Sequence, residues 1–328
     1  MAQTVTKSFP HEALMKVCVA SPYPLDQLKG NSVTTDRIVS ILEEDGIEAR
    51  ASHGFDGEPA DVLISLHAVK GAQAVADFRK KMPEGKVVVL ITGTDIYQQL
   101  PQGSEKGMAC LESADCIAIV SEIAVPSLPE RFQEKAVVVP CSLDEITERA
   151  KPQSGPFVIS VVGHLRAVKQ PFLTIEAVAK HPAWENLEVW QMGEALDEES
   201  EKTAKEWVKK DARYHWLGGL PRMESLRRCA QSQLTINSSL LEGGANAVLE
   251  AMTMGVPVLA SEIEGNRLLL GEDYPGYFRS DQLGIRLSEI LEGKVDLSTW
   301  KALADKRLPL FSREREGRCW LELLETLA

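Results

Sequence analysis

Two glutamates and a glycine pair form the most informative cluster of residue types in this sequence. Glu242 directly precedes Gly243 and Gly244, and seven residues separate it from Glu250. The glycines let the backbone approach a ligand closely, and the helix expected from Ala245 offers unpaired N–H groups to a diphosphate. Glu250 can accept hydrogen bonds from both hydroxyls of a ribose, while Glu242 can contact sugar hydroxyls beyond the diphosphate. The cluster therefore predicts a sugar-nucleotide site. The competing interpretation is an ordinary loop before a solvated helix face.

Short apolar strands alternate with helical segments on both sides of this cluster. The predicted strands cover 16–20, 61–66, 86–91, 116–120 and 135–139 in the first half, and 157–162, 187–192, 234–237 and 257–260 in the second. Strands that are apolar throughout are typical of parallel sheets with helices on both faces. The stretch 151–156 contains two prolines and a glycine among polar residues, so it is the predicted linker.

We therefore predict an α/β protein with two Rossmann-like domains that face each other across a cleft. The first domain is expected at 15–152 and the second at 153–312. Residues 1–14 are interpreted as a loose tail, and 313–328 as an amphipathic helix that crosses back to the first domain. Because ligands of such sheets bind beyond the carboxyl ends of the strands, we expect the site in the cleft.

Composition narrows the classes of partner. The formal net charge of −12 argues against nucleic acid and anionic membranes, since few cations are available to neutralise phosphates in bulk. The six cysteines include no C-x-x-C pair, and no apolar run approaches the length of a membrane span or a secretory signal. No D-x-D pair occurs, so we expect neither an essential metal nor another cofactor. These features favour a cytoplasmic protein that acts on small molecules; they leave its oligomeric state open.

The motifs resemble those of the retaining GT-B glycosyltransferases of the glycogen-synthase-like superfamily. The resemblance covers nearly all of residues 16–328, and its most specific part is the E-x7-E element of 242–250. In that superfamily the element lies with its start near the sugar and diphosphate of the donor and its second glutamate near the ribose. The resemblance thus implies donor-binding roles for Glu242, Gly243, Gly244, Ala245, Asn246 and Glu250.

The same resemblance assigns roles to the start of the second domain, VVGHLRAVK at 161–169. Lys169 matches the lysine that holds the donor diphosphate. His164, which follows Gly163, stands where most relatives have arginine, so Arg166 is the candidate for the second cation. The resemblance implies donor-binding roles for Gly163, His164, Arg166 and Lys169. The implied catalytic residues are Lys169, Arg166 and Glu242. The competing interpretation of Arg166 and Lys169 is that both are solvated surface charges.

The acceptor is expected on the first domain. TGTD at 92–95 resembles the His-Gly-x-Asp turn of the superfamily, with Thr92 in place of the histidine, and His67 occupies a position after a strand where relatives often have histidine. An acceptor that arrives as an anion requires positioning more than deprotonation, which fits the loss of that histidine. The predicted acceptor-binding residues are Gly30, Asn31, Ser32, Thr34, Arg37, His67, Thr92, Gly93, Thr94 and Asp95.

Longer stretches are similar to one subfamily, the selenosugar synthases of selenoneine biosynthesis. They are ASPYP at 20–24, GNSVT at 30–34, FDGEPADVLISLHA at 55–68, ITGTDIY at 91–97, YHWLGGLPR at 214–222 and ASEIEGNRLLLGEDYPGYF at 260–278. The resemblance implies UDP-N-acetylglucosamine as the donor and selenophosphate as the nucleophile. Two alternatives stay open: transfer to a hydroxyl or thiol acceptor, and a non-catalytic sugar-nucleotide sensor on the same fold.

Overall fold

The computed structural model describes residues 15–26, 30–143 and 146–328, and these form two parallel six-stranded sheets. The first sheet has the order β2-β1-β3-β4-β5-β6, with β1 Lys16–Ser21, β2 Glu48–His53, β3 Val62–Leu66, β4 Lys86–Leu90, β5 Cys116–Ile119 and β6 Ala136–Val138. The second has the order β12-β11-β10-β7-β8-β9, with β7 Phe157–Val162, β8 Leu187–Met192, β9 Tyr214–Gly218, β10 Leu234–Asn237, β11 Val258–Ser261 and β12 Tyr277–Phe278.

Helices connect these strands. In the first half they are α1 Gly30–Glu44, α2 Ala72–Lys81, α3 Glu105–Ser113 and α4 Glu130–Gln133. In the second half they are α5 Leu173–Ala179, α6 Glu198–Lys210, α7 Arg222–Ala230, α8 Asn246–Met254, α9 Glu264–Leu270, α10 Leu283–Leu291, α11 Leu297–Asp305 and α12 Arg313–Leu327. Single 3-10 turns occur at Glu122–Ser127, Ala167–Lys169, Ser280–Gln282 and Leu308–Phe311, and a π-helical turn at Asp95–Gln99. None of these helices is long and apolar enough to cross a membrane.

The strand order places a crevice at the middle of each sheet. In the first sheet, β2 is added on one side of β1 and β3 on the other, so the strand order changes direction between β1 and β3. In the second sheet it changes direction between β7 and β10. Connections on either side of such a point run to opposite faces of the sheet, so the loops at the carboxyl ends of the two strands separate and leave room for a ligand. The predicted two Rossmann-like domains are therefore confirmed, and the loops that matter for binding are those after β1, β3, β7 and β10.

The C-terminal helix belongs to the core of the first domain. Trp320, Leu323 and Leu324 of α12 are buried in one cluster with Val17 of β1 and Ile38 of α1. Apolar burial of this kind is the main source of stability in a packed interface. The amphipathic pattern of 313–328 is thus explained by the predicted return of the chain to its first half.

The chain enters the second domain earlier than its composition suggests. Ile146 is buried in the hydrophobic core of the second domain. The amide N–H groups of Ala150, Lys151 and Gln153 donate to carbonyls of α8, α7 and the following turn. The proline-rich stretch 151–156 is therefore a surface turn of the second domain, and the crossover lies near residues 139–143. Proline and glycine report a turn, which need not coincide with a domain boundary.

Three edge or near-edge strands were absent from the predicted set. β2 carries the polar sequence EARASH, β9 contains two aromatic residues and a glycine, and β12 has only 2 residues. In the second domain α5 begins only at Leu173, after Gln170 adopts a left-handed conformation with φ of 44°. Edge strands bury less apolar surface than central strands, so their hydrophobic pattern is weak.

Candidate active site

The predicted donor loop follows β10 and leads into α8. Ala245 is the N-cap of α8, and its side chain makes no capping hydrogen bond. The first-turn N–H groups of a helix have no partner within the helix, so this end of α8 can bind an anion. The helix ends at Gly255, whose φ of 78° is a left-handed conformation suited to glycine. The structure therefore places Gly243, Gly244 and Asn246 at one helix end, as the sequence predicts.

Lys169 and Glu242 meet at this loop. The Lys169 ammonium forms an ion pair with Glu242 Oε1, and the Ser239 hydroxyl donates to the same oxygen at 2.6 Å. Both side chains are only partly exposed, with 28% of Lys169 and 11% of Glu242 accessible. A half-buried cation at the loop that leads into α8 suits a diphosphate, whose oxygens would draw the ammonium away from the carboxylate.

Main-chain and hydroxyl contacts tie the two donor loops together. The amide of Leu240 donates to Val168 O at 2.8 Å, and the Ser238 hydroxyl donates to Lys169 O and Gln170 O at 2.9 and 3.0 Å. These bonds join the loop after β10 to the Ala167–Lys169 turn that follows β7. Both loops arise at the reversal point of the second sheet, so the strand order itself brings the lysine to the glycine loop.

Glu250 lies one and a half turns into α8 and pairs with a residue that sequence reasoning missed. Its Oε1 accepts a hydrogen bond from Arg222 Nε at 3.2 Å, and 17% of its side chain is exposed. Burial raises the pKa of the Glu250 carboxyl, while the Arg222 guanidinium lowers it. Arg222 is the last residue of the GGLPR stretch at 218–222 and the first residue of α7. Its position shortly after a strand end is the feature of the sequence from which it could have been identified as a site residue. The pair holds a carboxylate that can accept two ribose hydroxyls.

His164 and Arg166 follow Gly163 at the end of β7. His164 is partly exposed, and its buried Nδ1 has no hydrogen-bond partner among the described residues. Arg166 is exposed and makes no ion pair with a carboxylate in the described part of the chain. Gly163 is packed so closely on β8 that a methyl group at Gly193 would lie 2.0 Å from its carbonyl oxygen.

The two domains touch at a pair of glycines. A methyl group on Gly243 would lie 2.4 Å from Thr92 O, and one on Gly93 would lie 2.7 Å from the Gly243 nitrogen. In the same turn, burial and the nearby Glu264 carboxylate raise the pKa of the Tyr97 hydroxyl. The turn of 92–95 in the first domain is thus in backbone contact with the donor loop of the second.

Asp95 builds that first-domain turn. Its carboxylate is fully buried and accepts hydrogen bonds from the N–H groups of Gly93 at 2.8 Å, Ala68 at 3.0 Å, and Thr92 and Ile96 at 3.1 Å. A carboxylate with this many donors has no free lone pair for a substrate. Asp95 therefore holds the backbone of the turn in place. It does not have the acceptor-binding role that the sequence predicted.

His67 lies behind the same turn. Its Nδ1 accepts from the N–H groups of Val69 and Lys70, both at 3.3 Å, and its Nε2 lies 3.1 Å from Thr94 Oγ1. Asp95 Oδ2 is 3.7 Å from Nδ1, too far for a hydrogen bond. Because Nδ1 is an acceptor, the proton is on Nε2, and burial lowers the pKa of this imidazole. His67 is thus a neutral donor to Thr94.

The remaining acceptor candidates lie in the first turns of α1 and divide into two groups. Hydroxyls of Ser32 and Thr34 donate to the carbonyls of Pro24 and Gly30, so they stabilise the loop after β1 and the helix start. Gly30 and Asn31 occupy the N-terminus of the helix. Arg37 departs from its predicted role, because its buried guanidinium pairs with Glu316 of α12 at 3.1 Å and does not reach the cleft as a free cation.

Comparison with known proteins agrees with this architecture. Residues 142–291 match the family model described as glycosyl transferases group 1. Glycosyltransferase 1 domain-containing protein 1 of Xenopus tropicalis is 30% identical over 135 residues, which is 40% of this chain and 39% of that protein. The chain therefore spans well under half of the length of this curated relative.

Solved structures match over nearly the whole chain. Sucrose-phosphate synthase from Thermosynechococcus elongatus superposes with a TM-score of 0.78 at 13% identity, covering 95% of this chain and 99% of that one. HepE from Anabaena, solved in complex with UDP and glucose, gives a TM-score of 0.72 at 15% identity, covering 95% and 100%. The chain has the GT-B glycosyltransferase fold, and its second domain is similar to the glycosyl transferases group 1 family.

Proposed function

We propose that this chain is a glycosyltransferase that transfers N-acetylglucosamine from UDP-N-acetylglucosamine to selenophosphate and so forms a carbon–selenium bond. The fold and the family match support the transferase class. The particular sugar and nucleophile rest on the similarity of the motifs to the selenosugar synthases, together with the chemistry of the acceptor side. The substrates are small molecules, and we propose no cofactor.

The donor half supports a nucleoside diphosphate sugar. Lys169 is paired with Glu242 in the loop that leads into α8, an arrangement that suits a diphosphate, and Glu250 lies farther along the helix where a ribose would follow. HepE is recorded with UDP and glucose on this fold. As the bond to the sugar breaks, negative charge grows on the diphosphate, and groups already in place for that charge lower the barrier.

The observation that carries the proposal is the state of the titratable groups behind the 92–95 turn. Asp95 is saturated by backbone N–H groups, and His67 carries its proton on the nitrogen that faces Thr94. Neither can take a proton from an alcohol. Thr92 stands where the turn that this stretch resembles has histidine, so Thr92 and Thr94 supply hydroxyls and no base. An acceptor that is already ionised needs no base, and selenophosphate meets that condition.

The step balances without an added base or oxidant. A lone pair of selenium forms the bond to C1 of the sugar, and UDP leaves with the electron pair of the C1–O bond. The product keeps its phosphorus–selenium bond, and no proton is transferred.

An acceptor panel tests the proposal. Purified protein and UDP-N-acetylglucosamine would be incubated with selenophosphate, thiophosphate, phosphate or a set of sugars, and UDP release would be followed with mass detection of products. We expect rapid selenium-dependent UDP release, slower reaction with thiophosphate and none with sugar alcohols. Efficient transfer to a plain hydroxyl would overturn the acceptor assignment, and UDP-sugar binding without any turnover would indicate a sensor.

A further inference from the structure

His67 combines three features that the donor chemistry does not use. It is 2% exposed, its φ is 71°, and both ring nitrogens are engaged. A left-handed conformation is uncommon for residues other than glycine and persists only where the surroundings hold it. The loop that holds it is tight, since a methyl group at Gly71 would lie 2.4 Å from Ser65 Oγ. The strained backbone of His67 thus fixes the orientation of its imidazole ring.

The ring direction determines what Thr94 can do. Since Nδ1 accepts two backbone N–H groups, Nε2 must donate to Thr94 Oγ1. A hydroxyl that accepts this bond retains its own proton for a second partner. Thr94 is partly exposed, and its hydroxyl has no other partner within the described residues. It follows Gly93, which touches Gly243 of the donor loop, so Thr94 belongs to the first-domain turn that contacts the donor loop.

We infer that His67 is a positioning residue that fixes the Thr94 hydroxyl as a one-way hydrogen-bond donor to the anionic acceptor. The assignment rests on the proposed function and goes beyond it by naming a specificity-determining pair. An anion can only accept, so it matches a hydroxyl that accepts from His67 and keeps its own proton free to donate. The burial that keeps the imidazole neutral keeps that direction constant.

Substitutions separate this role from a structural one. Thr94→Val keeps the side-chain shape and removes the hydroxyl, and we expect the acceptor KM to rise about 10- to 100-fold, with the donor KM within about twofold. Thr94→Ser retains the hydroxyl and should restore most of the wild-type acceptor KM. Thr203→Val, on the distant face of α6, is the matched control and should leave both constants unchanged.

His67→Asn isolates the positioning role. Asparagine tolerates positive φ, and its carboxamide can accept from the same backbone N–H groups, but it is too short to reach Thr94. We expect a wild-type unfolding midpoint with a raised acceptor KM that Thr94→Val does not raise further. A lost fold or an unchanged acceptor KM would overturn the inference, as would a shift confined to the donor KM.

A readout without turnover keeps this test separate from the proposed function. Imidazole nitrogen NMR of the ligand-free protein, with His67 assigned by its absence in His67→Asn, should show a neutral ring protonated on Nε2 at neutral pH. An Nδ1-protonated or charged ring would overturn the inference. If wild-type protein is inactive with selenophosphate but active with another acceptor, the proposed function fails. The acceptor KM values of the Thr94 and His67 variants are then measured with that other acceptor. A neutral acceptor that obeys the pattern would overturn the preference for anions.

Discussion

Lys169 and Glu242 show how a single contact can serve two states of a site. In the described structure the ammonium is paired with a carboxylate that also accepts from Ser239. A donor diphosphate carries more negative charge than one carboxylate, so the lysine can exchange partners when the sugar nucleotide binds. The ion pair therefore keeps the cation at the donor loop before the substrate arrives.

Lys169→Met should reduce kcat/KM strongly. Loss of one preorganised donor to the leaving group costs about 2–4 kcal/mol of transition-state stabilisation, which corresponds to about 30- to 1000-fold. Steady-state assays would measure it, with the exposed Lys202→Met on α6 as the control. Turnover equal to that of the wild type would contradict the assignment.

Glu250→Ala should act on donor binding. The carboxylate lies one and a half turns from the α8 N-terminus, away from the bond that breaks, so we expect its loss to raise the donor KM about tenfold or more and to change kcat much less. Titration with UDP by calorimetry would give the affinity directly. A collapse of kcat with unchanged UDP affinity would rule out the ribose role.

At the scale of elements, the two loops that meet across the cleft depend on glycine. Gly243 packs its Cα against the Thr92–Gly93 backbone, whereas Gly244 has only ordinary contacts, with Cys141 Sγ 3.5 Å and Leu268 Cδ2 3.7 Å from a methyl group placed there. The two neighbouring glycines therefore differ in the room available for a side chain, although they lie in the same loop.

Gly243→Ala should therefore impair activity far more than Gly244→Ala. The added methyl group would lie 2.4 Å from Thr92 O, so the turn or the cleft must shift, and displacements of this size are costly where substrates must be aligned. Comparison of kcat/KM and small-angle scattering for the two variants would test this. Equal activities would show that the contact is not part of the working conformation.

The sequence predicted most of the central elements and the donor residues because both carry strong local signals. β7, β8 and β10 and the helix α12 match their predicted bounds, since each has a continuous apolar run or stripe. The partners Glu316 and Arg222 could not be predicted, because they lie 279 and 28 residues from Arg37 and Glu250. Long-range pairing depends on the tertiary structure, which local spacing does not encode.

For the molecule as a whole, Glu316 of α12 joins three parts of the chain. It pairs with Arg37 of α1, accepts from the Ser142 N–H at 2.7 Å and lies 3.4 Å from the Trp320 indole nitrogen. Ser142 belongs to the crossover between the domains. The carboxylate thus connects the first domain, the returning helix and the crossover at a buried point.

Glu316→Gln should destabilise the fold, because it leaves the Arg37 guanidinium buried without its counter-charge. Removing one partner of a buried pair costs about 3–5 kcal/mol. Urea unfolding would measure the change. Glu314→Gln, on the exposed side of the same helix, is the control and should unfold like the wild type. Equal midpoints for both variants would show that the buried pair contributes nothing to stability.

The central claim is that the sugar carbon becomes bonded to selenium. UDP-N-acetylglucosamine labelled with carbon-13 at C1 and selenophosphate enriched in selenium-77 would be incubated with the protein, and the carbon-13 spectrum recorded as UDP accumulates. We predict a C1 signal split by one-bond coupling to selenium, formed in equal amount to UDP. UDP release that gives an unsplit C1 signal, from a sugar bonded to oxygen, would contradict the account.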